Sequence, residues 1–137
     1  MKKKIFIIAI LVIATFLIGQ QVFRYIKYKG NLIVCISNQS KLDSVNIELY
    51  LDGKKIMADF FTNDTFHNYR IYPIKSSFGK HNLLVKSNEQ ASKETTLTAL
   101  FIKWVVVDFF EDDVVPPGIK NKYTFLITTQ SRPLVIE

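Results

Sequence analysis

The chain has a single cysteine, Cys35, so it can form no internal disulfide and no CxxC metal or redox pair. Cys35 stands within the apolar run 32–36 and reads as a small buried hydrophobe, since a reactive thiol needs a histidine or a positive field beside it. Only two histidines occur, His67 and His81, and neither belongs to an HxH or HExxH pattern. Both read as ordinary surface side chains. No GxSxG elbow is present, and the 5 glycines are too dispersed to cradle a phosphate. Glu111-Asp112-Asp113 lacks the Asp/Asn alternation and glycine of a calcium loop and reads as solvated charge capping a hydrophobic strand. The sequence therefore nominates no catalytic, cofactor-binding or metal-ligating residue, and the expectation is a protein that is not an enzyme. An enzyme would need a deep pocket with convergent polar groups.

Glycine and proline are also few, 5 and 4, while 48% of residues are hydrophobic and 13% aromatic. That composition folds. The net charge is +6, but removing Lys2, Lys3 and Lys4 from the 18 Lys+Arg leaves 15 against 12 Asp+Glu, or +3. With no basic stripe interleaved with aromatics, a nucleic-acid partner is not expected.

Lys2-Lys3-Lys4 precedes residues 5–18, which carry no charge and only Thr15 as a polar residue. A basic start followed by a continuous apolar run is an export signal. Cleavage after Gly19 would put Leu17 at the −3 position, where a small residue is wanted, and no A-x-A pattern occurs. No cysteine follows the run to carry a lipid. Residues 5–23 approach the roughly 20 residues needed to cross the hydrocarbon core. A retained signal-anchor over residues 1–25 is the favoured reading, with a secreted or periplasmic chain as the outcome if the segment is cut. Arg24, Lys27 and Lys29 nearly balance the basic start, and the positive-inside rule only slightly favours a cytoplasmic N-terminus, with the domain facing the periplasm or cell exterior.

Residues 26–137 form one domain by length. Val45, Ile47, Leu49 and Leu51 alternate with Asn46, Glu48, Tyr50 and Asp52, the pattern of a strand with one buried face. Asp52-Gly53 then signals a tight hairpin in which both residues take positive φ. Residues 32–37, 67–74, 80–87 and 123–129 read as further strands, with Pro73 marking an edge or end. The stretch 95–110 is one bent strand or two, and its part 101–110 reads as central, covered on both faces. Val114-Val115-Pro116-Pro117-Gly118 reads as a loop. No apolar helical stripe occurs after the anchor. The fold class expected is all-β, an antiparallel β-sandwich of about seven strands behind one N-terminal transmembrane or signal helix. Asn38-Gln39-Ser40 and Asn63-Asp64-Thr65 match the glycosylation acceptor pattern and read as turn residues in loops.

Gly30-Asn31-Leu32-Ile33-Val34, then Ile47-Glu48-Leu49-Tyr50-Leu51-Asp52-Gly53-Lys54-Lys55-Ile56, and later Phe78-Gly79-Lys80-His81-Asn82-Leu83-Leu84-Val85-Lys86 resemble small surface β-sandwich modules of the Ig-like or PEGA-like kind. In those, a strand ends in an Asp-Gly-Lys turn and a Gly-Lys-His turn opens a later one. The resemblance implies an Ig-like sandwich acting as a binding, spacer or envelope-associated module, and it implies no residue-level site. The expected function is thus a membrane-anchored or exported β-sandwich that binds or scaffolds in the cell envelope. Its partners would be the membrane, through the N-terminal helix, and another envelope protein or surface ligand. An exported inhibitor or immunity-type protein that neutralises one partner is the alternative.

Overall fold

A computed structural model describes residues 2–63, 69–112 and 122–131. His67, Asp64-Thr65, Asp113 and the loop 114–118 lie outside the described residues.

Helix α1, Lys2–Tyr28, extends beyond residue 25 to the edge of the domain. Its stretch Lys4–Tyr28, 25 residues, is long and apolar enough to cross a membrane; its apolar part is exposed, and only its last turns, down to the partly buried Tyr28, meet the domain. Apolar residues occupy every side of it, as in a helix with no aqueous face. Its polar Thr15 donates to the Leu11 carbonyl at 2.8 Å, so the hydroxyl is satisfied within the helix. The helix ends where Lys29 adopts φ 56°, the left-handed conformation that breaks the ladder.

Among the described residues eight strands follow: β1 Leu32–Asn38, β2 Ser44–Leu51, β3 Lys54–Thr62, β4 Arg70–Ile74, β5 Gly79–Ser87, β6 Ser92–Ala99, β7 Lys103–Glu111 and β8 Tyr123–Gln130. They make two four-stranded sheets, ordered β4-β1-β7-β8 and β3-β2-β5-β6. The sandwich expected from the sequence is therefore present, with two differences. The stretch 95–110, read as one bent strand or two, is two, β6 and β7, and they do not pair but lie in different sheets. One pairing, β1 with β7, is parallel, from Leu32↔Lys103 to Asn38↔Phe109, while the others are antiparallel.

The period-two pattern explains the packing. β2 buries Val45, Ile47, Leu49 and Leu51, and β5 buries His81, Leu83 and Val85 on the facing side. Against them stand Leu32, Val34 and Ile36 of β1, Val105, Val107 and Phe109 of β7, and Phe125 of β8. Each fully buried side chain of this size contributes roughly 2 kcal/mol of transfer free energy. β1 is buried along its whole length because its other face is covered too. There Ile33 and Cys35 pack with Ile102 and Trp104 under Tyr28 and Tyr69. The Tyr28 ring, from the last residue of α1, meets Trp104 edge-on at 5.1 Å between centroids. Trp104 is 4% exposed, as a central strand covered on both faces requires. Pro73 lies in β4, an edge strand, where its missing N–H costs no outer ladder bond.

Candidate functional site

The pairings fix which turns share an end of the sandwich. β1 and β7 both start, and β4 ends, next to the exit of α1. β5 starts opposite the end of β6, and β2 ends opposite Leu83 near the same level. The helix-proximal end therefore carries the β2–β3 turn, the β4–β5 connection and the β6–β7 connection.

Buried polar side chains hold these connections. Asn31, 5% exposed, mimics a strand at the start of β1. Its Nδ2 donates to the Ser76 carbonyl at 3.0 Å and its Oδ1 accepts from the Ser76 amide at 2.8 Å. Its backbone amide donates to the Ile74 carbonyl, and its carbonyl accepts from the Lys103 amide at 2.8 Å. One residue thus ties β4–β5 and β6–β7 to the helix exit. Gly30 comes so close to β4 that a Cβ there would lie 2.6 Å from the Ile74 carbonyl oxygen.

His81 grips the same connection from the other sheet. Its Nδ1 lies 2.7 Å from Asp52 Oδ2 and its Nε2 lies 2.8 Å from the Ser77 carbonyl oxygen. Both partners are acceptors, so the doubly protonated ring satisfies the pair of contacts. The hydrogen bond to Asp52, then that to Ser77, raise the His81 pKa above its usual value. Asp52 is held below the usual carboxylate range, first by the Asn82 amide on its Oδ1 and then by His81. Asp52 and Gly53 take φ 51° and 78°, the tight hairpin the sequence signals. His81 is not the surface histidine expected: it is 6% exposed, because it stands in phase with Leu83 and Val85 on the inward face of β5. With each ring nitrogen donating, it offers no lone pair to a proton or a metal in this arrangement.

Between Asn31 and His81 the β4–β5 connection presents Phe78, 77% exposed, and the β6–β7 connection presents Leu100 and Phe101, 56% and 65% exposed. With Ile18, Val22 and Tyr25 of α1 they line an apolar groove of about 320 Å³. It is the most distinctive surface feature at this end, and composition alone gives no sign of it.

Other polar groupings are spent on structure. Ser37 donates to Asp108 at 2.7 Å on the outer face of the β1–β7 pair, and Gln39 donates to Ser37. Burial, then the Asp108 carboxylate, hold the Tyr69 hydroxyl above its ordinary pKa. His81 lies in the other sheet, so it is not brought to Ser37. Asn38, read from sequence as a turn residue in a loop, is instead the last residue of β1 and buried. Its Nδ2 donates to the Leu42 and Phe61 carbonyls, and its Oδ1 accepts from the Ser40 amide and hydroxyl. Burial pushes the Cys35 thiol up to about 11, which makes it inert. Glu111 ends β7 and pairs with Lys122 and, at 3.9 Å, with Lys41. Among the described residues, no three His, Cys, Asp or Glu side chains group as metal ligands. No protein-family model matches the chain, and no curated protein matches it in sequence.

Proposed function

We propose that this chain is a single-pass membrane protein whose helix α1 is retained as a signal-anchor and whose β-sandwich faces the periplasm or cell exterior. There it has a binding or structural role in the cell envelope, with another envelope protein or surface ligand as its partner. The observation that carries the reading is that the most apolar part of the stretch Lys4–Tyr28 is left uncovered by the domain, which touches only the C-terminal turns of the helix. An all-round apolar helix left in water exposes far more apolar surface than soluble proteins tolerate, and a bilayer removes it. The edge-on packing of Tyr28 on Trp104 supports retention, since it builds the end of the helix into the second hydrophobic cluster of the domain. Arg24, Tyr25 and Lys27 suit the headgroup level just beyond the uncharged run 5–23. The turn sequences shared with Ig-like or PEGA-like surface modules support a binding or spacer role.

Protease added to the outer side of intact cells tests the topology. The sandwich is expected to be digested without prior lysis. Protection until the membrane is opened would overturn an outward-facing domain.

A further inference from the structure

Resting on the anchored reading above, we infer that the helix-proximal end of the sandwich lies on the bilayer that α1 crosses. In this arrangement Phe78, Leu100 and Phe101 enter the acyl–headgroup boundary, and a belt of lysines meets anionic headgroups.

Three observations combine here. The first is depth. The groove brings the three loop side chains beside Ile18, Val22 and Tyr25. At 1.5 Å per residue, Ile18 stands about 8 Å below Phe23, the last residue of the uncharged run 5–23. Side chains at that level sit within the roughly 5–10 Å that interfacial apolar groups penetrate. The second is rigidity. Ser76 is held by both atoms of the Asn31 amide and Ser77 by His81, so Phe78 is displayed from a clamped connection rather than a loose one. Gly79, at φ 130°, then turns the chain into β5. An apolar side chain ordered at the surface has already lost much of the entropy that insertion would otherwise cost.

The third is charge. Lys29, Lys54, Lys75 and Lys80 are exposed and Lys103 is half-buried, and all five flank the connections at this end. The one carboxylate in those turns, Asp52, is engaged by His81. The opposite end is mixed in sign, with Asp43, Glu89 and Asp112 in its connections beside Lys41 and Lys122. An apolar tip ringed by cations at the membrane-proximal end is the complement of an anionic lipid surface. The domain would then stand in a fixed orientation on the bilayer instead of swinging on its helix.

Spin-label depth measurements on the full-length chain in phosphatidylcholine–phosphatidylglycerol vesicles test this. Because Cys35 is buried, the variants Phe78→Cys, Phe101→Cys and Phe60→Cys can each be labelled at one site. Phe60 is an exposed aromatic on β3, paired toward the far end of the sandwich. Labels at 78 and 101 are expected to be relaxed more by oxygen than by a water-soluble nickel chelate, and the label at 60 the reverse. Reversing Lys75 and Lys80 together to Glu is expected to move the label at 78 toward water. An unchanged depth overturns the part given to the lysines. If the chain floats with the vesicles but the label at 78 is as open to nickel as that at 60, the inference fails while the anchor stands. Exclusion of both reagents at 78 would mean that protein, a second copy, covers the groove, and this also overturns it. A chain that does not float with vesicles overturns the anchor and the inference together.

Discussion

His81 Nδ1 lies 2.7 Å from Asp52 Oδ2, and this contact ties the β2–β3 turn to the start of β5 while the far side of the ring holds the Ser77 carbonyl. The pair makes stability depend on pH at both ends. His81 has a raised pKa, so its contribution is fully present below its unfolded value near 6.5 and is lost as pH rises through the elevated folded value. Asp52 has a lowered pKa, so its contribution is present above 3.8 and is lost as pH falls through the depressed folded value. Thermal unfolding is expected to show its highest midpoint between the two. In His81→Leu the decline on the alkaline side of neutrality should flatten, and a decline identical to that of the parent would remove the pair from the account.

Glycine positions are expected to divide by backbone and by space. Gly53→Val forces a β-branched residue to φ 78° and should cost about 1 kcal/mol or more, although nothing lies within 4 Å of the added Cβ. Gly30→Ala keeps an ordinary φ but drives a Cβ against the backbone of Ile74, and should cost about 1–3 kcal/mol through displacement of β4. Gly19→Ala meets no atom within 4 Å and should leave the melting midpoint unchanged. Equal midpoints for all three variants would contradict the close approach at Gly30 and the strained turn at Gly53.

Asn38→Ala is expected to be among the most destabilising polar substitutions, at about 2–3 kcal/mol, because it strands the Phe61 and Leu42 carbonyls and frees the Ser40 segment. Chemical denaturation measures it directly. A loss no larger than that of an exposed polar residue, within about 0.5 kcal/mol, would mean water replaces the amide there.

Local patterns carried most of the strands. The alternation 45–51, the Asp52-Gly53 turn, the edge position of Pro73 and the two-sided burial around Trp104 were all legible, since each depends on neighbouring residues alone. The parallel union of β1 with β7 was not, because it joins segments about seventy residues apart and leaves no periodic trace. His81 could have been found by extending the period of two back from Leu83 and Val85. Asn31 and Asn38 could not, because an asparagine that completes a sheet end reads like any turn residue. The cluster of Phe78, Leu100 and Phe101 exists only once the strand order brings two distant connections beside the helix.

The most direct test of the account is the intact mass of the chain recovered from membranes after an alkaline carbonate wash. A helix that crosses the bilayer resists that wash, since its apolar burial far exceeds that of a single acyl chain. The account predicts the full-length chain of 15.8 kDa in the pellet, with residues 1–28 in place. A shorter chain beginning near Gln20 and released to the soluble fraction would contradict it.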